Sequence, residues 1–209
     1  MKTKLLTLAI AVASLGAFAQ GKILLSNDSL HPVVFNSGAM LPADAAYAGQ
    51  PIPDSPLPSG LNLYIALYSG AASASLALQT TYPLAGPTGW LTAGRFASKN
   101  VILNFAGGST SYFQIYFWSG VSGSFVLPPT VTGGSDLRSY GGVNPFYYGA
   151  TDLFTAIPGT SLSYPNIATA ASSSTWAPGD VIIYGAPEPS SLALFGVGAG
   201  LLLLRRRRQ

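Results

Sequence analysis

The clearest hydrophobic pattern in this chain is a strict alternation over residues 61–68. One side of an extended chain would carry four large aliphatic residues, Leu61, Leu63, Ile65 and Leu67. The residues between them, which include two tyrosines, would lie on the opposite side. Because successive side chains of a β-strand point to opposite faces, this pattern predicts a central strand with its leucine face in the core.

Other short runs of β-branched and aromatic residues also have the length of strands. They are residues 23–26, 33–36, 101–105, 112–118, 124–127, 153–157, 162–164 and 181–184. The turn-forming residues Asn27, Asp28 and Ser29 make the first two runs an expected hairpin. The glycine-containing segment 106–111 makes the runs on either side of it a second expected hairpin.

Two segments break this succession of strands. Residues 42–60 contain five prolines, which remove backbone donors, and we expect a long irregular segment at the edge of a sheet. Residues 71–79 are rich in Ser and Ala, and they fit either a short helix or a loop. No convincing amphipathic helix is present. The fold class is therefore all-β, with an antiparallel β-sandwich as the first expectation and an open barrel as the second.

The N-terminus has the pattern of a secretory signal peptide. Lys2 and Lys4 precede an apolar run over residues 5–15, and small residues follow at Ala17 and Ala19. Cleavage after Ala19 makes Gln20 the mature N-terminus. An uncleaved anchor is less favoured, because the apolar run is short for a membrane span. We therefore predict a signal helix over residues 1–19 and export of the remainder of the chain.

The C-terminus, residues 186–209, has three parts in a fixed order. A Pro-Glu-Pro tripeptide comes first, an uncharged apolar run over residues 190–204 comes second, and an arginine cluster closes the chain. The apolar run predicts a short transmembrane helix of roughly 22 Å at ~1.5 Å per residue. Arginines at one end hold that end on the cytoplasmic side, so the body lies outside. The signal residues are Pro187, Glu188, Pro189, Arg205, Arg206, Arg207 and Arg208.

This tripartite C-terminus resembles the PEP-CTERM sorting signal of bacterial exported proteins. The resemblance implies an exosortase as a processing partner and an association with secreted polysaccharide. It covers about the last tenth of the chain, and a plain membrane anchor is the alternative. The predicted organisation is a signal peptide over 1–19, an exported β domain over 20–185, called the body below, and a sorting and anchor segment over 186–209.

Charge separates the body from the two ends. The chain has a formal net charge of +3, but residues 21–186 contain four basic and six acidic residues, so the positive charge lies in the targeting segments. Scattered cations give no electrostatic footprint for nucleic acid. Charged residues are only 8% of the chain, against a typical ~25%. Such a surface has little charge repulsion between copies, which favours self-association or embedding in a matrix.

Few residues carry the chemistry that catalysis or metal binding needs. The chain has no cysteine and one histidine, His31, which we expect to be a solvated loop residue. No Gly-x-Ser-x-Gly elbow surrounds a serine, the body has no glutamate, and its aspartates are isolated. We therefore predict no catalytic, cofactor-binding or metal site, and a protein that is not an enzyme.

The three tryptophans are the remaining candidates for ligand contact. Aromatic rings suit the apolar faces of sugars. Trp118 lies within an aromatic strand, where packing is favoured, whereas Trp90 and Trp176 lie beside turn-forming residues, where exposure is expected. Trp90 and Trp176 are therefore possible ligand-stacking residues.

Together these patterns predict an exported protein that is held in the membrane by its C-terminal helix and then sorted to the cell surface or outside. The leading hypothesis is a structural or adhesive protein of the envelope or extracellular matrix, processed by exosortase and associated with polysaccharide or with copies of itself. The alternative is a carbohydrate-binding module that one transmembrane helix anchors permanently. An enzyme of unrecognised type is a third, weaker hypothesis.

Overall fold

A computed structural model of the protein describes most of the body. The described residues are 20–38, 40–84, 89–120, 127–136, 146–160, 163–167 and 181–185. They form twelve strands and one short 3-10 helix, Pro42–Tyr47. The strands are β1 (Gln20–Leu25), β2 (Val33–Phe35), β3 (Asn62–Ala72), β4 (Ser75–Pro83), β5 (Trp90–Thr92), β6 (Arg95–Phe96), β7 (Lys99–Ala106), β8 (Ser111–Gly120), β9 (Thr130–Val131), β10 (Tyr147–Ala150), β11 (Phe154–Ala156) and β12 (Val181–Gly185).

The strands form one large sheet and two small ribbons. The large sheet has eight strands in the order β2-β12-β10-β8-β3-β4-β9, and β11 pairs with β8 beside β10. The ribbons are β1-β7 and β5-β6. Among the pairs of named strands in the described residues, only β12 and β2 run parallel. The all-β class and the mainly antiparallel pairing are therefore confirmed.

The predicted central strand is β3, which lies between β8 and β4. Leu63, Ile65 and Leu67 are buried together in the main core, which also takes in the inner side chains of β1 and β7. The leucine face is therefore in the core, as the alternation predicts. Along both strands of ribbon β1-β7, buried side chains alternate with more exposed ones. The buried side chains belong to the main core, so the ribbon packs over this face of the large sheet.

The opposite face of the large sheet carries a second core that is rich in aromatic rings. Tyr68 and Tyr116 are completely buried, and their rings meet edge to face at 5.4 Å. The segment 127–136 covers these rings, since the Tyr68 hydroxyl donates to the carbonyl of Pro128 and the Tyr116 hydroxyl donates to that of Ser135. Strands β3 and β8 are consequently buried on both faces.

The expected hairpin between residues 101–105 and 112–118 is wrong. These runs form β7 and β8, but β7 pairs with β1, and β8 pairs with β3, β10 and β11. Alternate residues of β7 are exposed, whereas nearly all of β8 is buried, so the two strands suit different layers. The connection passes close to another loop, because a Cβ on Gly107 would lie 2.3 Å from the carbonyl oxygen of Gly159.

The expected opening hairpin is also wrong, although its turn is present. Leu30 N–H donates to Asp28 Oδ1 at 3.0 Å, which closes the local turn. Strand β1 then pairs with β7, and β2 pairs with β12. The side chain of Asn27 holds the turn against the β5-β6 ribbon, as it donates to the carbonyls of His31 and Gly94 at 2.8 Å each and accepts from Phe96 N–H at 2.9 Å.

The predictions for residues 71–79 and for the proline-rich segment 42–60, which both lack a clear strand pattern, differ in how well they agree with the structure. Residues 71–79 are neither a helix nor a loop, because they comprise the end of β3, a two-residue turn and the first five residues of β4. The proline-rich segment is irregular as expected and contains the 3-10 helix. It is not merely a solvated edge, since Ile52 and Leu57 are buried in the main core.

Side-chain amides connect the large sheet to ribbon β1-β7. Gln79 on β4 donates through Nε2 to Asn104 Oδ1 at 2.9 Å, and Asn104 N–H on β7 donates to Gln79 Oε1 at 2.9 Å. The amide of Gln79 thus bonds both to the side chain and to the backbone N–H of Asn104 on β7.

The predicted signal helix and the predicted C-terminal helix lie outside the described residues. Within the described part of the chain, no helix combines the length and the apolar character that a membrane span requires. Most of the predicted strand 124–127 and the start of the weak strand 162–164 also lie outside the description.

Candidate functional site

A cleft of about 250 Å³ opens where the partner of β8 changes from β10 to β11. Thr151, Asp152 and Leu153 lie between these two strands and form one side of the cleft. Ser135 and Asp136 from the covering segment form the opposite side. The cleft is therefore built by an interruption of the sheet edge and by the segment that covers the aromatic face.

Thr151 causes the interruption through its side chain. Its N–H donates to the carbonyl of Ile115 at 2.9 Å, as a strand residue would, but Ile115 N–H donates to the Thr151 hydroxyl at 3.0 Å instead of to a carbonyl. The hydroxyl thus occupies the place of a ladder acceptor, and the chain leaves the sheet at the next residue. Asp152 is consequently exposed at the rim of the cleft.

Gln114 forms the floor of the cleft and is held in place by three partners. Its side chain is 3% exposed, and its Nε2 donates to the Thr151 carbonyl at 3.0 Å. Its Oε1 accepts from Gly134 N–H at 2.8 Å and lies 2.8 Å from the Tyr116 hydroxyl, whose one proton it shares with the carbonyl of Ser135. These bonds fix the amide in one orientation, so the floor is preorganised before any ligand arrives.

The walls of the cleft are rich in hydrogen-bond acceptors. Asp136 and Asp152 contribute carboxyl groups, and Tyr148 and Leu153 contribute ring and aliphatic surface. A carboxyl group can accept a hydrogen bond from a hydroxyl, so the exposed Asp152 beside Leu153 suits a ligand with a hydroxyl donor next to an apolar side. The described residues contain no group of three or more histidines, cysteines or acidic residues that could hold a metal ion.

Two aspartates that lie apart from the cleft are paired with other side chains. Asp44, from the 3-10 helix, is completely buried, and its Oδ2 accepts from the Tyr147 hydroxyl at 2.7 Å. Burial and then this bond raise the pKa of Tyr147 well above its ordinary value. Asp28 Oδ1 lies 2.6 Å from Nδ1 of His31, within hydrogen-bond distance.

The expectation that His31 is solvated is wrong, because its side chain is 1% exposed. The turn folds the imidazole back under the chain, and Leu30 is exposed in its place at 66%. A proline after the histidine indicates the turn but does not reveal which of the two side chains points inward. His31 lies apart from the residues that line the cleft.

The expectation that Trp90 is exposed is also wrong. Its indole is 5% exposed and lines a cavity of only about 10 Å³ beneath the proline-rich segment, next to Ile52 and Leu57. That segment packs inward and covers the ring, so Trp90 has no free face for stacking on a ligand. Trp118 is packed as predicted, 4% exposed and stacked on Tyr64 at 5.6 Å. Trp176 lies outside the described residues.

The predicted targeting residues border the described body on both sides. Gln20, the predicted mature N-terminus, is the first described residue and the first residue of β1, while Ala17 and Ala19 lie outside the description. At the other end, β12 ends at Gly185, and the signal residues 187–189 and 205–208 lie beyond the described part. The cleavage sites stay predictions.

Comparison with known proteins identifies the C-terminal segment. The family model of the PEP-CTERM protein-sorting motif matches residues 186–208, which directly follow β12. No other family model, no curated protein and no solved structure matches the chain. The motif implies processing by exosortase, a membrane enzyme, after export and C-terminal anchoring. The chain is therefore a secreted, exosortase-sorted protein that carries a PEP-CTERM motif behind an all-β body.

Proposed function

We propose that this protein is a non-enzymatic structural or adhesive component of the cell envelope or extracellular matrix. A transmembrane helix over residues 190–204 holds it in the membrane, exosortase removes the tail near Pro187-Glu188-Pro189, and the β-sandwich body is released to associate with secreted polysaccharide or with other copies. The observation that carries the proposal is the sorting motif at residues 186–208.

The composition of the body supports a role in a matrix. Its net charge is small, and charged residues are only 8% of the chain. A surface of this kind exposes many hydroxyl and amide groups and little charge, so copies or neutral polymers approach it without strong repulsion. Stability comes from packing and hydrogen bonds alone, because the chain has no cysteine.

Replacing the sorting tripeptide tests the proposal. In the native host, the triple variant Pro187→Ala, Glu188→Ala, Pro189→Ala should remain in the membrane fraction, whereas the wild type should reach the extracellular matrix. The matched control is Ser190→Ala with Ser191→Ala, which changes neighbouring residues and should be released normally. Enzymatic digestion of the matrix polysaccharide should then free the wild-type protein. Release of the triple variant overturns the proposal. Retention of the wild type after digestion excludes attachment through polysaccharide and assigns it to contacts between copies.

The acceptor-rich cleft favours a second candidate, a carbohydrate-binding module. Its volume of about 250 Å³ is below the ~300–1,000 Å³ of sites for drug-sized ligands, which fits about one sugar unit. Hydroxyl groups of a sugar would donate to Asp152 at the rim, and its apolar side would lie against Leu153. Tyr148 borders the same space.

A pair of conservative substitutions tests the cleft. Asp152 and Asp54 are both exposed, so replacing either with Asn leaves the fold intact. Asp152→Asn should weaken retention of the isolated wild-type matrix polysaccharide several-fold, because the amide replaces an acceptor with a donor, and Asp54→Asn should not. Equal retention by both variants contradicts a role for the cleft.

A further inference from the structure

Strand β12, the last described strand, lies between β2 and β10 in the large sheet. Strand β12 pairs in parallel with β2 along one edge and antiparallel with β10 along the other. The pairing extends to its final residue, since Gly185 is opposite Tyr147. Strand β2 pairs with residues 181–183 and β10 pairs with residues 184–185, so every residue of β12 has a partner strand along one edge, at a spacing of about 4.8 Å.

The sorting motif begins at the very next residue. The family match starts at residue 186, and the apolar run starts at Ser190. The four residues between Gly185 and Ser190 span at most about 14 Å, even if fully extended. The folded body is therefore held within that distance of the predicted membrane segment. An enzyme can reach both edges of the backbone only after β12.

Strand β12 also completes the sheet. In the described part of the chain, strand β2 joins the large sheet only through β12, so residues near the start of the body find this partner only when the end of the body is in place. Val33 and Val181, which pair across this boundary, are far apart along the chain. The strand that joins β2 to the large sheet is thus the same strand that directly precedes the sorting motif.

We propose that docking of β12 slows the sorting reaction, so that the tail is removed fastest when β12 is not paired with the sheet. The inference rests on the proposed processing by exosortase. The bond that breaks is a peptide bond near Pro187-Glu188-Pro189, whose acyl group passes to water or to an acceptor amine while the tail leaves with a protonated amine. A docked β12 hinders the enzyme at the acyl side of this bond. Undocking β12, or moving the motif away from the sheet, relieves the hindrance.

Spacer length is the variable that tests this inference. In the native host, about eight Gly and Ser residues inserted between Gly185 and Ala186 should accelerate tail removal several-fold in a pulse-chase experiment, because a flexible spacer separates motif and sheet. The matched control places the same insertion between Asp54 and Ser55, two exposed residues of the proline-rich segment. This control should be processed at the wild-type rate.

A second variant tests docking itself with the native spacer. Ile183→Pro removes a backbone donor from an interior strand, which undocks β12 and should also accelerate tail removal. The spacer variant leaves β12 unchanged, so the inference stays testable if the proline variant is degraded. Equal rates for the wild type and the spacer variant overturn the inference while processing itself stands. A wild-type chain that never loses its tail overturns the sorting proposal and this inference together.

Discussion

The hydroxyl of Tyr147 donates to Oδ2 of Asp44 at 2.7 Å, and both side chains are completely buried. The two residues are 103 positions apart. Asp44 comes from the 3-10 helix and Tyr147 begins β10, so this bond fixes the proline-rich segment to the large sheet. The same hydroxyl accepts from Leu41 N–H at 3.1 Å, and Asp44 Oδ1 accepts from Ser59 N–H at 2.9 Å.

We predict opposite effects for two Tyr→Phe substitutions. Tyr147→Phe should lower the free energy of unfolding by about 1–3 kcal/mol, because it leaves a buried carboxyl oxygen and an N–H without their partner. Tyr82→Phe is the matched control, since the buried Tyr82 hydroxyl has no hydrogen-bond partner among the described residues. This substitution should be neutral or slightly stabilising. Urea unfolding measures both, and equal losses would show that the Asp44 bond does not stabilise the fold.

Stability should fall at alkaline pH. Burial raises the pKa of both Tyr147 and Tyr82 above the ordinary tyrosine value of about 10. The unfolded chain then loses protons that the folded chain keeps, so the free energy of unfolding decreases as the pH rises above about 10. Below that pH both states keep the protons, and this contribution is constant. Replacing both residues with Phe should flatten the decline in urea unfolding above about pH 10, and an unchanged decline would contradict this assignment.

Asn27 should be among the most sensitive polar positions. It is 2% exposed and makes three hydrogen bonds that join the first turn to the β5-β6 ribbon. Asn27→Ala should cost about 2 kcal/mol or more, because the carbonyl of His31 and the N–H of Phe96 lose their bonds to Asn27 and the carbonyl of Gly94 keeps only its bond from Val33 N–H. Asn100→Ala, at an exposed position of β7, is the control and should change stability by less than about 0.5 kcal/mol. A comparable effect at both positions in thermal unfolding would refute the role of Asn27.

The amide pair between the two layers should contribute measurably. Gln79→Ala removes both bonds to Asn104 and should lower the free energy of unfolding by about 1 kcal/mol. Gln79→Glu keeps the acceptor for Asn104 N–H but places a carboxylate oxygen against Asn104 Oδ1 and the carbonyl of Ala77, so its loss should be at least as large. If the Glu variant is as stable as the wild type in urea unfolding, the donor of Gln79 contributes nothing to the connection.

Side-chain alternation predicted the strands whose two faces differ in burial, because the period of two reports directly on burial, but it missed β4, in which most residues are half-buried. Strand β3 and its leucine face follow from this pattern, and so does the packing of Trp118. The partners of the strands did not follow from it. Turn residues between two runs show that the chain bends, but strands β7 and β8 bend into different layers. Long-range pairs such as β2 with β12 leave no local signal.

The cleft and the buried polar pairs also have little sequence signal. Thr151 interrupts the sheet edge by offering its hydroxyl to Ile115 N–H, and a threonine in a strand-like region gives no warning of this. The sequence around Asp44 indicates only an aspartate in a loop, because the burial of this residue depends on Tyr147 from a distant strand. The sorting motif is the reverse case. Its chemistry is carried by consecutive residues, so the sequence alone identifies it.

The most direct test of the central claim is the intact mass of the native protein from the membrane fraction and from the extracellular fraction. The account predicts an extracellular form that begins at Gln20 and ends near Pro187-Glu188-Pro189, without the arginine cluster. It predicts that any form with the complete tail is confined to membranes. An extracellular form that ends at Gln209, or a membrane fraction that contains only that form with nothing released, would contradict sorting by this motif.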